Sequence, residues 1–275
     1  MIFKSYLMVA GDKEKHLSKI NDLKCDVAMI NLEDGVGDKE YALNLLRQTF
    51  ALNGMRTNNK YIVVRINPLD ETGLEEIKIL NILKPHAIRI PKIKSVNEVK
   101  KALKAIDQEI DIHLSIETKE GFENLKSFKI DKRVTTVYLG ILDLLESLVL
   151  PQNLLTLNNP TIHYILSKFL IESKMAGFNP IFFTYQDYKN TNEFKSWLDL
   201  AKNMGFEATS CISPSQVDIA NKVFEIDSDE YEKAKYIVEL FEANLQNKIS
   251  GFSDEKYGFI DEPIYKNAKN IIKKR

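Results

Sequence analysis

Tyr61-Ile62-Val63-Val64-Arg65-Ile66-Asn67 is the stretch that decides the fold. An aromatic residue is followed by three β-branched ones, with none of the apolar–polar alternation of a strand that has one wet face. Such a run reads as a strand covered on both faces, as in a parallel sheet packed under helices. Similar runs lie on both sides of it, at Ser5–Ala10, Val27–Glu33, Ala87–Lys92, Asp111–Glu117, Thr135–Ile141, Pro180–Thr184 and Ala208–Ser213. Between them the apolar spacing turns helical. Val96, Val99, Leu103 and Ile106 follow Ser95, an N-cap residue with Glu98 three positions on, and Phe194, Trp197, Leu198 and Ala201 follow Thr191. Eight strand–helix units predict an α/β fold, a (β/α)8 TIM barrel, over residues 1–225. A doubly wound open sheet is the alternative, and it usually has fewer strands. Two extra helices, Asp229–Lys248 and Pro263–Ile272, make residues 226–275 a C-terminal helical arm that either caps the barrel or packs on a neighbouring subunit. The polar segment Ser250–Glu262 between them reads as a hinge.

Composition narrows the function classes. The 275 residues carry 38 Lys and Arg against 39 Asp and Glu, a formal net charge of −1. There is thus no bulk attraction to nucleic acid. Cys25 and Cys211 are too few for a disulfide framework. No apolar run reaches the roughly 18 residues of a membrane span. The stretch Met1–Ser5 lacks the basic and then apolar pattern of a signal peptide, so a cytoplasmic protein is expected.

In such a barrel the chemistry lies where the strands end. The predicted ends are Asn31-Leu32-Glu33-Asp34, Arg65-Ile66-Asn67, Arg89-Ile90-Pro91-Lys92, Ser115-Ile116-Glu117 and Leu139-Gly140-Ile141-Leu142-Asp143. Acids and arginines thus converge on one rim. A charge within a buried strand is costly unless it is paired or binds a metal, so Arg65 and Arg89 are not ordinary surface arginines. Structural pairing with Glu33, Asp34 or Glu117 is one reading of them; anion binding is the other. Glu117 and Asp143, on adjacent strands, suit Mg2+, which takes one or two carboxylates and leaves positions for substrate oxygens. The ion would act as a Lewis acid on a developing enolate, while Arg65 held a substrate carboxylate through a bidentate contact.

Other motifs argue for less. His16, His86, His113 and His163 are scattered, which disfavours zinc, and His113 reads as a satisfied interior residue. Neither a Gly-x-Gly-x-x-Gly motif nor a P-loop occurs. Ser213 and Ser215 have no histidine base nearby in sequence.

Taken together, these stretches resemble the citrate lyase beta-subunit family of the HpcH/HpaI aldolase superfamily. Lys4-Ser5-Tyr6-Leu7-Met8-Val9-Ala10-Gly11 is similar to its Arg-Ser-x-Leu-Phe-Val-Pro-Gly, and Asn31-Leu32-Glu33-Asp34 to its Asp-Leu-Glu-Asp. Val64-Arg65-Ile66-Asn67 resembles Val-Arg-Val-Asn, Ile90-Pro91-Lys92 resembles Leu-Pro-Lys, and Ile116-Glu117-Thr118 resembles Ile-Glu-Ser/Thr. Leu139–Asp143, Ile212–Gln216 and Phe259–Pro263 continue the match in the same order. The resemblance implies carbon–carbon bond cleavage or formation, with Mg2+ held by Glu117 and Asp143. It implies that Arg65 contacts an oxoacid or acyl group and that Glu33 and Asp34 support the site. It also implies that Asp261 covers the active site of a neighbouring subunit in a homo-oligomer, often a trimer, where Asp261 is a candidate acid or base.

The departures from the pattern are informative too. Lys4 replaces an arginine, keeping a positive charge for substrate but losing its planar fork. Leu142 replaces a glutamate, and no arginine lies between Leu144 and Asn153. Thr184, Ala208-Thr209 and Ser213 replace an Asp, a Gly-Lys and a His. The expectation is a Mg2+-dependent lyase or aldolase for a small 2-oxoacid-type or acyl substrate, with the metal half of the site kept and the thioester half changed. A citryl- or malyl-thioester lyase using acyl-CoA is the first alternative, and a non-catalytic scaffold subunit the second.

Overall fold

Tyr61–Arg65 forms strand β3 in a computed structural model that describes residues 3–52, 54–56 and 60–274. Met1 and Ile2, part of the N-terminal stretch read above, lie outside them. The other strands are β1 (Ser5–Ala10), β2 (Val27–Asn31), β4 (Ala87–Ile90), β5 (Asp111–Ile116), β6 (Val134–Leu139), β7 (Asn179–Ile181) and β8 (Thr209–Cys211). Helices follow the strands in turn: α1 (Glu14–Leu17), α2 (Lys39–Phe50), α3 (Gly73–Leu83), α4 (Val96–Ala105) and α5 (Lys119–Asn124). Then come α6 (Ile141–Ser147), α7 (Pro160–Ala176), α8 (Thr191–Met204) and α9 (Pro214–Val223). All eight strands are parallel, in the order β7-β6-β5-β4-β3-β2-β1-β8. The ends of that order meet at one bridge, Phe182 to Thr209, where the Phe182 N–H donates to the Ala208 carbonyl at 2.9 Å. This is the (β/α)8 barrel the eight runs predict.

The continuous apolar runs are explained by burial on both sides. Ile62, Val63 and Val64 have no exposed surface, and neither have Val27, Ala28, Met29 and Ile30. Inward-facing Tyr6, Met29, Val63, Ala87, Tyr138 and Ile181 pack together inside the barrel. Each large side chain so buried contributes about 1.5–3 kcal/mol.

Local signals held unevenly. Ser95 and Glu98 form a reciprocal capping box on α4, the Ser95 N–H donating to Glu98 Oε2 at 2.9 Å. On α8 the cap is Asn190, whose Oδ1 accepts the Glu193 N–H at 3.2 Å, and Thr191 is the first helical residue rather than the cap. Regular pairing stops earlier than the apolar runs do. Glu33, Asn67 and Glu117 therefore stand just beyond the ends of β2, β3 and β5.

A second compact unit spans residues 224–274. It holds α10 (Ser228–Gln246), β9 (Gly251–Asp254), β10 (Gly258–Asp261) and α11 (Glu262–Lys274). The expected hinge is thus an antiparallel hairpin. Its turn is built by Asp254, whose Oδ1 accepts the N–H groups of Lys256 and Tyr257 at 3.0 and 2.8 Å, and by Gly258 at φ +75°. Ile260 on this hairpin is fully buried with Ala234, Ile237, Phe241 and Ala268, which anchors it to both helices. Among the described residues no helix is long and apolar enough to cross a membrane.

Candidate active site

The rim is organised around one buried acid. Glu33 is 2% exposed, and among the described residues neither of its carboxylate oxygens has a hydrogen bond. Two ion pairs offset that burial. Arg65 lies 2.9 Å from Oε2, and the Lys92 ammonium lies 3.3 Å from Oε1. Asn31, the last residue of β2, fixes the geometry. Its Oδ1 accepts from Arg65 Nε at 2.7 Å and from the Glu33 N–H at 3.1 Å, and its amide donates to the Asp34 carbonyl at 2.6 Å. With Nε and one terminal nitrogen committed, the Arg65 guanidinium is locked in one plane. Its second terminal nitrogen makes only a long 3.4 Å contact to the Asp34 carbonyl. Below, Asn67 ties β3 to the loop after β2, donating to the Leu32 carbonyl at 2.9 Å while buried Glu76 accepts its backbone N–H at 2.9 Å.

Glu117 lies across the rim, 4% exposed, with its Oε1 accepting the Lys92 N–H at 2.7 Å. Its Oε2 lies beside Gly140. A Cβ at position 140 would stand 2.5 Å from the Glu117 Cβ and 2.6 Å from Oε2, so only glycine lets β6 pass the carboxylate. Gly140 also ends the strand, and Asp143 consequently lies in the first turn of α6 instead of on β6 as expected. Burial pushes the Glu117 carboxyl above its ordinary range, and the charges of Glu33 and Asp143 push it further, against the pull of Arg89. Burial likewise raises Asp143, with Asp34 adding to the shift. Two acids on one rim, each disfavoured as an anion by burial, suit a divalent cation, which would relieve both. Among the described residues no three His, Cys, Asp or Glu converge as a metal cage, so substrate and water would complete the shell of a Mg2+ ion.

Two anticipated substrate contacts lie elsewhere. Arg89 is 4% exposed inside the barrel, donating to Ser115 Oγ at 2.8 Å, touching Met29 Sδ at 3.3 Å and lying 4.1 Å over the Tyr138 ring. Burial and the like charge of Arg65 lower its pKa to about 10. It supports the rim from beneath and makes no carboxylate hydrogen bond among the described residues. Lys4 precedes β1, at the amino-terminal end of the strands, where its N–H donates to Asp26 at 2.7 Å. The six residues of β1 separate it from the rim, so its charge cannot serve there. Asp34 is exposed at the rim, and Asp261 belongs to the second unit, where its Oδ1 accepts the Ile264 N–H at 3.2 Å. Ser213 Oγ pairs with Ser215 Oγ at 2.9 Å and accepts the Gln216 N–H. Asn31 and Lys92 are the rim residues that motif reading quoted without giving them a role.

His113 is the satisfied interior residue its strand position suggested, with Nδ1 2.9 Å from the Tyr138 hydroxyl. Burial, then Arg89, lower its pKa to about 3. The unfolded chain therefore takes up this proton first, and the imidazole's share of stability is complete above about pH 6.5. It is lost by about 1.4 kcal/mol per pH unit as pH falls from there toward the folded value. Urea unfolding at pH 7 and pH 5.5 is expected to show a shallower acid loss for His113→Gln than for the parent.

Residues 4–214 match the family model for HpcH/HpaI aldolase/citrate lyase, and the chain belongs to that family of carbon–carbon lyases. It is 28% identical to a (3S)-malyl-CoA thioesterase of Cereibacter sphaeroides, over 87% of this chain and 83% of that one. It is 27% identical to the citrate lyase subunit beta of Haemophilus influenzae, over 98% of this chain and 96% of that one. Among solved structures, CitE of Mycobacterium tuberculosis in complex with magnesium, acetoacetate and coenzyme A superposes with a TM-score of 0.77 at 19% identity, covering 98% of this chain and 97% of that one.

Proposed function

We propose that this protein is a Mg2+-dependent carbon–carbon lyase acting on a small 2-oxoacid-type substrate. The observation that carries the reading is the presence on one rim of two carboxylates disfavoured as anions by burial, Glu117 and Asp143, with a guanidinium locked in plane at Arg65. Glu117 and Asp143 would hold the ion, and magnesium bound there supplies a Lewis acid for the charge that develops on the substrate's oxygens. Arg65 orients the substrate through its carboxylate, and the plane set by Asn31 and Glu33 decides the angle of that contact. Asp261, donated by a neighbouring subunit of a homo-oligomer, a trimer, is our candidate for moving the proton. The related magnesium-containing CitE complex supports the choice of metal.

A second reading is favoured by the malyl-CoA thioesterase relative, namely that the substrate is an acyl-CoA thioester of the citryl or malyl type. One experiment separates the two. The protein is incubated with Mg2+ and either free hydroxyacids or their CoA thioesters, and released oxoacid is measured. Release from free acids supports the first reading, and release from thioesters alone supports the second. No release from either set, with or without EDTA, sinks both and leaves the scaffold.

A further inference from the structure

The carboxylate of Glu33 and that of Glu117 are held by the same residue, and by different parts of it. Lys92 gives its backbone N–H to Glu117 Oε1 at 2.7 Å and its ammonium to Glu33 Oε1 at 3.3 Å. To do so it sits at φ +52°, a left-handed conformation that a lysine seldom adopts. Strain of this kind persists where surrounding contacts over-determine it. Through Lys92 the contacts run without a break from Arg65 to Glu33 to Lys92 to Glu117, joining the ends of β2, β3, β4 and β5.

We propose that Lys92 is a positioning residue that keeps Arg65 available to the oxoacid. This role rests on the protein being a lyase for an oxoacid. Glu33 has two oxygens and two cations, one for each. With the ammonium removed, the buried carboxylate is left with Arg65 as its single ion-pair partner among the described residues and draws it into a two-toothed pair. The nitrogen that now makes only a 3.4 Å contact is then withdrawn from the substrate side. The amide of residue 92 survives any substitution except proline, so the hold on Glu117 stays.

This gives a split that a general loss of packing does not produce. Calorimetry with Mg2+ alone, and then with pyruvate in the presence of Mg2+, is run on the parent, Lys92→Met and Lys92→Arg. Lys92→Met is expected to bind Mg2+ within about twofold of the parent but pyruvate about tenfold more weakly, the size of effect seen when a supporting hydrogen-bond partner is removed. Lys92→Arg is expected to recover most of the loss. In a Glu33→Gln background, Lys92→Met should have little further effect on pyruvate. An unchanged pyruvate affinity overturns the proposal, and so does a parallel fall in Mg2+ affinity. A loss that persists in the Glu33→Gln background overturns it as well, because Lys92 would then touch substrate itself. A parent protein that binds neither Mg2+ nor pyruvate sinks the lyase reading, and this proposal with it.

Discussion

Glu117→Gln is expected to abolish metal-supported turnover, by about a hundredfold or more, while the protein stays folded. The physical basis is the asymmetry of the carboxylate's contacts. Its Oε1 accepts the Lys92 N–H at 2.7 Å, and a glutamine carbonyl can accept the same bond. The side chain keeps its shape, so Gly140 can still pass beside it. What disappears is the negative charge, in a place where burial already disfavours it. The melting temperature is therefore not expected to fall, and Mg2+ affinity measured by calorimetry should drop with the rate. Unchanged turnover and unchanged Mg2+ affinity would show that the rim acids hold no catalytic ion and would favour the scaffold reading.

Arg65→Met should fail differently, in stability as well as in binding. The Arg65 side chain is 12% exposed and its partner Glu33 2%. Taking away one member of a buried pair leaves the other charge uncompensated, at a cost of about 3–5 kcal/mol. Lys92 remains beside Glu33 but is itself 39% exposed, so it offsets only part of that cost. Urea unfolding should show the loss, and adding Glu33→Gln should recover most of it. Binding of pyruvate with Mg2+ is expected to fall about a hundredfold and to stay low in the double variant, because a hydrogen bond to a charged group is worth up to about 3 kcal/mol. If the double variant regained binding along with stability, Arg65 would be structural only.

The barrel was legible because its strands are buried twice over. Runs such as Ile62-Val63-Val64 have no solvent face to dilute the apolar signal. The rim was legible in part, since Glu33, Arg65 and Glu117 do meet where strands end. What escaped reading depends on tertiary contacts. Lys4 matched a motif in order, although its place before β1 already sets it at the amino-terminal end of the barrel, away from the rim. Arg89 sits in the same register as Arg65, yet the Tyr138 ring and Ser115 hold it inside. The left-handed turn at Lys92 has no local signature, because glycine or asparagine normally marks such a turn. The hairpin at Gly251–Asp261 was hidden by its polar composition, with Ile260 the main apolar anchor.

The two holds exerted at position 92 differ in how they are inherited. The grip on Glu117 is made by a peptide N–H, which nineteen of the twenty amino acids can supply. The grip on Glu33 is made by an ammonium, which one codon change can erase. Drift at this single position can therefore alter how the guanidinium across the rim greets an anion, while the acid opposite keeps its place. A lineage carrying this arrangement has a route to altered anion contacts that leaves Glu117 where it is.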